Sequence, residues 1–169
     1  GLIFGGYDAK RGTVERCHFA NNTLWGNDTS GSGGGEIVIQ KARNNTLRHN
    51  LIVPGEAGLA ITNPFGPALS SGNAADWNCY GVKAPGFVWQ EKESAGLAAF
   101  RAAGQERNGR AGDARFKDAE RGDLHLRRDS PAVNAGDPAF TAVAGELDFD
   151  GLPRIVGARV DAGALEFRN

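Results

Sequence analysis

The sequence predicts an all-β chain wound as a right-handed parallel β-helix, and three observations carry that prediction. A motif recurs at a fixed offset, short β-branched strands bounded by glycine follow each copy, and the turn-forming residues are in excess. Of 169 residues, 25 are glycine, about twice the usual share of roughly 7%. Asparagine clusters with glycine in the first half. Both tolerate positive φ, as a fold with many tight turns requires.

The repeat is Asn21-Asn22-Thr23-Leu24-Trp25-Gly26-Asn27 against Asn44-Asn45-Thr46-Leu47-Arg48-His49-Asn50, five of seven positions identical at an offset of 23. The strands Glu36-Ile37-Val38-Ile39 and Leu59-Ala60-Ile61-Thr62 follow the two copies at the same spacing. A degenerate third copy ends in Asp76-Trp77-Asn78-Cys79-Tyr80, after about five extra residues at Asn63–Asn73. One step back from Asn27 reaches Leu2-Ile3-Phe4, another short strand. A period of 23 suits a coil of three strands and three turns, stacked on its neighbours at ~4.8 Å. This gives about three to four rungs over residues 1–82, with Asn27, Asn50 and Asn78 expected as a ladder of amides along one corner. A leucine-rich repeat is disfavoured, because Asn-Asn-Thr stands where its leucines belong.

Past Gly81 the pattern stops, and residues 83–169 are expected to form a C-terminal cap of the same domain. Ser94 to Gly104 has helix chemistry, with Ser94 as N-cap, Leu97 and Phe100 at i, i+3, and Gly104 as stop. Asp113–Phe116 and Asp123–Leu126 are expected as strands, Ser130-Pro131 as a helix entry closing at Gly136, and Val160–Phe167 as a last strand. A cap is needed because an open solenoid end exposes strand edges and apolar interior. Nothing comparable precedes Leu2-Ile3-Phe4, so the chain is expected to start within a longer solenoid or to have that end covered by a partner.

The segments Gly122-Asp123-Leu124-His125-Leu126, Asp129-Ser130-Pro131-Ala132-Val133-Asn134-Ala135-Gly136, Asp148-Phe149-Asp150-Gly151-Leu152-Pro153-Arg154 and Val160-Asp161-Ala162-Gly163-Ala164-Leu165-Glu166-Phe167 resemble the C-terminal signature of secreted bacterial right-handed parallel β-helix proteins. That group includes polysaccharide-lyase-like β-helices and the surface proteins called choice-of-anchor. The resemblance implies an extracellular or periplasmic, carbohydrate-active protein. Its motifs belong to the cap, so they speak for the fold more than for an activity.

A net charge of −1 gives no long-range field for nucleic acid or an anionic membrane. No run reaches the ~18 apolar residues of a membrane span. A lyase acting by β-elimination on an acidic polysaccharide needs a base and a cation for the substrate carboxylate. Under the 23-residue offset Lys41 stacks over His18, so His18 or Lys41 is the candidate base, with Arg43 or Arg48 for the carboxylate. Trp25, Trp77 and His49 are candidate sugar contacts. The alternative is a non-catalytic surface or adhesion module. Asp8, Glu15, Asp28 and Glu36 do not form the Asp-Asp pair a pectin hydrolase requires.

No cofactor motif is present. Asp148-Phe149-Asp150-Gly151 resembles the start of a calcium loop but lacks the distal ligands, and a plain turn is the simpler expectation. Thr29–Gly35 lacks the Gly-Lys-Ser/Thr of a phosphate cradle and is expected as a surface loop. Cys17 and Cys79 are expected too far apart to bridge.

Overall fold

The computed structural model describes residues 1–29, 31 and 33–169. In chain order the strands are β1 (Leu2–Phe4), β2 (Val14–Glu15), β3 (His18–Ala20), β4 (Thr23–Trp25), β5 (Ile37–Ile39), β6 (Ala42–Arg43), β7 (Thr46–Arg48), β8 (Leu51–Val53), β9 (Leu59–Asn63), β10 (Ala74–Asp76), β11 (Cys79–Tyr80), β12 (Gly86–Trp89) and β13 (Lys92–Ala95). Helix α1 (Gly96–Ala102) follows, then β14 (Arg110–Ala111), β15 (Phe116–Asp118), a 3-10 turn at Ala119–Arg121, and β16 (Asp123–Leu126).

These strands form a parallel β-solenoid of about 3 turns. One face stacks β1-β5-β9-β12, a second β3-β7-β10, a third β4-β8-β11-β14, and a short fourth pairs β2 with β6. The pairing is parallel throughout these stacks, with β13 added antiparallel at the end of the first. Inward positions form columns: Phe19 lies beside Leu47 and Leu47 beside Ala75, while Leu24, Ile52, Tyr80 and Ala111 follow one another on the next face. Ile37 and Ile39 point in and Val38 out, the alternation a strand imposes.

The period is not 23. His18 pairs with Thr46 and Thr46 with Ala74, and corner asparagines bond across an interval of 28. Each coil turns two corners on left-handed residues: Arg16, Asn44 and Gly72 at one, Asn21, His49 and Trp77 at the other. Each left-handed residue precedes an inward-turned ladder position. The two corners lie five residues apart, so matching the second corner of one coil to the first corner of the next returns 23. Lys41 therefore does not stack over His18; its carbonyl takes the N–H of Val14.

The ladder also shifts. Asn22 Nδ2 donates to Asn50 Oδ1 at 2.9 Å, and Asn50 Nδ2 to Asn78 Oδ1 at 2.8 Å. A second ladder joins Asn45 to Asn73 at 2.9 Å. Asn27 stands outside both; its N–H and amide donate to the buried carboxylate of Glu36. The loop expected at Thr29–Gly35 falls partly outside the described residues, at Ser30 and Ser32.

The end of the solenoid is closed by α1. Phe100 stacks on Phe87 with ring centroids 4.0 Å apart and meets Trp89 edge-on, sealing the interior that Tyr80 and Phe87 fill. Ser94 does not cap this helix. It lies within β13, and the N-cap is Ala95 with no side-chain bond. Beyond β14 the chain leaves the end and packs sideways on the third face. There Leu51, Cys79, Ala114, Leu126, Ala132, Ala135 and Ala162 form a second apolar cluster. Ser130–Gly136 is a run of turns and Val160–Phe167 contains no strand, because backbone bonds reach other segments: Ala162 N to Ala132 O, Gly163 N to His49 O. Residues 113–169 thus lie mostly along the flank, while α1, β13, β14 and the Gln105–Glu106 segment close the end. Cys17 and Cys79 are free thiols.

Candidate functional site

Of the basic residues picked out in the sequence, His18 and Arg48 lie on the paired strands β3 and β7 and Lys41 and Arg43 at β6, and each has a local partner. His18 is exposed, its Nδ1 2.6 Å from Thr46 Oγ1. Lys41 Nζ donates to the carbonyls of Ala9 (2.8 Å) and Arg11 (2.7 Å). Arg43 donates to Ala68 O at 3.2 Å. Arg48 pairs with Asp137 at 2.6 Å. These bonds pin loops onto the coil.

His49 is 3% exposed, shut beneath residues 136–140. Its Nε2 accepts the Asp137 N–H at 3.2 Å, and its ring meets Phe140 edge-on. Burial, and then the Arg48 charge, hold its pKa down to about 4. It is therefore a neutral interior group and not a surface sugar contact. Trp77 is half-buried at a left-handed corner.

Trp25 differs. It points out of β4 and is 41% exposed. Beside it in the stack comes Val53, then Gly81, so the outer column shrinks coil by coil. A Cβ at Gly81 would collide with Val53 Cγ2 and lie 2.9 Å from Ala114 Cβ. This taper leaves a groove of about 460 Å³ between the column and the Asp113–Glu120 segment. Three acids (Asp113, Asp118, Glu120) and three bases (Arg115, Lys117, Arg127) line it. Arg115 is held by Asp113 and Asp129, and Arg127 by the carbonyls of Phe116 and Lys117. Lys117 and Glu120 form no ion pair among the described residues, so both can meet a ligand.

A second concavity of about 490 Å³ opens on the other side of the β15–β16 hairpin, against Thr23 of the same strand. Here His125 is clamped between two carboxylates, with Nδ1 2.5 Å from Asp123 Oδ1 and Nε2 3.0 Å from Asp150 Oδ2. The bond to Asp123, then that to Asp150, raise the His125 pKa above its ordinary value. Two carboxylates are both satisfied only when both ring nitrogens donate, so the clamp favours the imidazolium, a form with no lone pair to act as base. Phe149, 83% exposed, stands at the rim.

The sequence contained a signal for this cluster. Asp123 and His125 sit at i, i+2, which a strand places on one face. The Asp148–Gly151 segment is a turn: Asp148 Oδ1 accepts the N–H groups of Asp150 and Leu152, and Asp148 Oδ2 pairs with Arg168. No group of three or more metal-ligating side chains occurs among the described residues.

The flank is fixed to the coil by a buried guanidinium. Arg154 donates to Gly163 O at 2.6 Å and Ala164 O at 3.0 Å, and reaches Asn21 O at 3.4 Å. Ala164 N in turn donates to Thr23 Oγ1 at 2.9 Å. Burial, then the Asp161 carboxylate, push Glu166 up to about 8 against the pull of Arg154.

Fold and surface together define a parallel β-solenoid with a docked flank and an aromatic groove along their seam. No helix is long and apolar enough to cross a membrane among the described residues. The chain is 33% identical over 137 residues to a Bacillus subtilis (strain 168) protein described as "Uncharacterized protein YwoF". The match takes in 78% of this chain and 29% of that protein, so the chain spans less than a third of its relative's length. No protein-family model matches the chain, and no solved structure matches it.

Proposed function

We propose that the chain is the carbohydrate-binding part of an extracellular β-solenoid protein, and that the Trp25 groove takes a neutral polysaccharide without cleaving it. The observation that carries this is the half-exposed Trp25 indole at the head of a groove whose charges balance. An indole face suits the apolar face of a sugar ring. Three acids against three bases give no net field to select a polyanion, which disfavours an acidic substrate. Lyase chemistry needs a base and a carboxylate-binding cation side by side. His18 and Arg48 share the β3–β7 face, and Lys41 and Arg43 lie at β6, but each is already engaged by a local partner.

Affinity electrophoresis in gels carrying xylan, mannan, glucan, alginate or pectate tests the proposal. Retardation by at least one neutral polymer is expected, together with an affinity loss of about tenfold, or 1.4 kcal/mol, in Trp25→Ala. Retardation only by the acidic polymers, with ultraviolet absorbance from unsaturated uronate products, would establish the lyase reading instead. Unchanged binding in Trp25→Ala would remove the groove from consideration.

A further inference from the structure

We infer that the face formed by β1, β2, β3 and β4 is a docking surface for one more coil of parallel β-strand, carried by the same polypeptide ahead of Gly1. Four observations converge on that occupant.

β1, β3 and β4 are edge strands, each paired on one side only. On β4 the carbonyl of Asn22 and the N–H of Gly26 are used toward β8. The strand alternation therefore aims the N–H and C=O groups of Thr23 and Trp25 the other way, where no strand meets them. Bare edges of this kind recruit a further strand.

The corner ladder is unfilled at this end. Asn22 donates its amide to Asn50 Oδ1 and Ala20 O, while its own Oδ1 accepts nothing among the described residues. Asn50 and Asn78 each receive an amide from the coil before them. The vacant Asn22 acceptor thus asks for an amide donor arriving in the same parallel sense.

The interior is open here too. Leu2 and Phe19, inward-facing, are only half-buried, and with Leu24 they line a hollow of about 350 Å³. Apolar inner residues of a preceding coil would fill it.

A second copy of the chain is a poor fit. Head-to-tail stacking is blocked by α1, which seals the opposite end with Phe100. Head-to-head contact would run the strands antiparallel, so no amide of the second copy would reach Asn22 Oδ1 in the parallel sense of the ladder.

The chain's own coil supplies the probe. Residues Ile37–Leu59, which carry β5 to β8 and Asn50, are placed directly before Gly1, so that Gly1 and Leu2 take the roles of Ala60 and Ile61. The prefixed chain is expected to be monomeric, with at least tenfold slower hydrogen exchange at the Thr23 and Trp25 amides than the chain alone. Fluorescence of a hydrophobic dye bound at the end should fall as well. Replacing the prefix's copy of Asn50 by alanine should return part of the exchange rate. Unchanged exchange with the prefix left protease-sensitive would overturn the inference. So would sedimentation showing the chain without prefix to be a dimer that the prefix fails to dissociate.

Discussion

Glu106 occupies the place of an asparagine at the last step of the Asn78 column. Asn78 Nδ2 donates to Glu106 Oε1 at 2.6 Å and its backbone N–H to Oε2 at 3.3 Å, as it would to the next ladder amide. Tyr80 adds a third donor at 2.7 Å. Burial pushes the Glu106 pKa up to about 7, against the pull of these bonds from Tyr80 and Asn78. In the neutral acid, Oε2 still accepts from the Asn78 N–H while the new proton on Oε1 can go to the Tyr80 oxygen, at the expense of the bond that the Tyr80 O–H gives to the carboxylate. A glutamine cannot do this, because its Nε2 would face the Asn78 N–H. Glu106→Gln should therefore lower unfolding stability by about 1–3 kcal/mol, measured by denaturant titration.

The pH dependence of the same group follows in sign. A carboxyl whose folded pKa lies above its unfolded value binds protons more tightly in the folded state. Its contribution is complete below about 4.5 and lost as pH rises toward 7. Titrations at half-unit intervals should show that decline in the parent chain and its absence in Glu106→Gln. A parallel slope in both would remove Glu106 as the cause.

His49 works in the opposite direction. Its pKa is lowered to about 4, so the unfolded chain binds a proton that the folded chain refuses. Stability from this residue is complete above about 6.5 and falls as pH drops toward 4. His49→Asn keeps a residue type that tolerates the left-handed corner and removes the titrating ring. That variant should lose the acid-side decline, while the bond from Asp137 N–H to the ring is also lost.

Fold class was legible because it rests on features that survive a wrong alignment: Gly-bounded Ile-Val-Ile strands, paired asparagines and the absence of helical period over the first 80 or so residues. The coil length was not, because the two corners of a coil use the same residue chemistry. Asn21-Asn22-Thr23-Leu24 and Asn44-Asn45-Thr46-Leu47 look like successive copies of one corner and are in fact different corners. That single slip put Asn27 in the ladder in place of Asn22 and brought Lys41 to His18. In the flank, Ser130-Pro131 and Val160–Phe167 carry good local helix and strand chemistry, yet tertiary bonds to Ala114, His49 and Thr23 override it. Of the candidate site, Trp25 was visible as an aromatic on an outer strand position. Of the His125 clamp only the Asp123 half left a signal, at i, i+2, since the second carboxylate comes from Asp150 in a distant turn.

Gly81 sets how closely the flank approaches the solenoid. Its backbone is not left-handed, so any penalty for a side chain is steric. In Gly81→Ala the new methyl would overlap Val53 Cγ2 and crowd Ala114 Cβ, a cost of about 1–3 kcal/mol if the core is overpacked rather than relaxed. Partial relief is available by moving the Ala114 segment outward, which would widen the Trp25 groove. Faster proteolysis at 113–120, with the solenoid transition preserved, is the expected signature.

The His125 clamp makes a prediction that separates local chemistry from global stability. Its pKa is raised by bonds to Asp123 first and Asp150 second, so the stabilising contact is present below 6.5 and is lost as pH climbs through the folded value. Neutral imidazole has one N–H, and one carboxylate would then face a lone pair, freeing either β16 or the Asp148–Gly151 turn. Nuclear magnetic resonance of the His125 ring should give a midpoint above 6.5 in the parent chain. Asp123→Asn should move that midpoint down toward 6.5, and Asp150→Asn should move it down less. Because the ring is partly exposed, the unfolding transition should barely change in either variant. An Asp123→Asn ring that titrates where the parent does would show that solvent, not the clamp, sets the proton on His125.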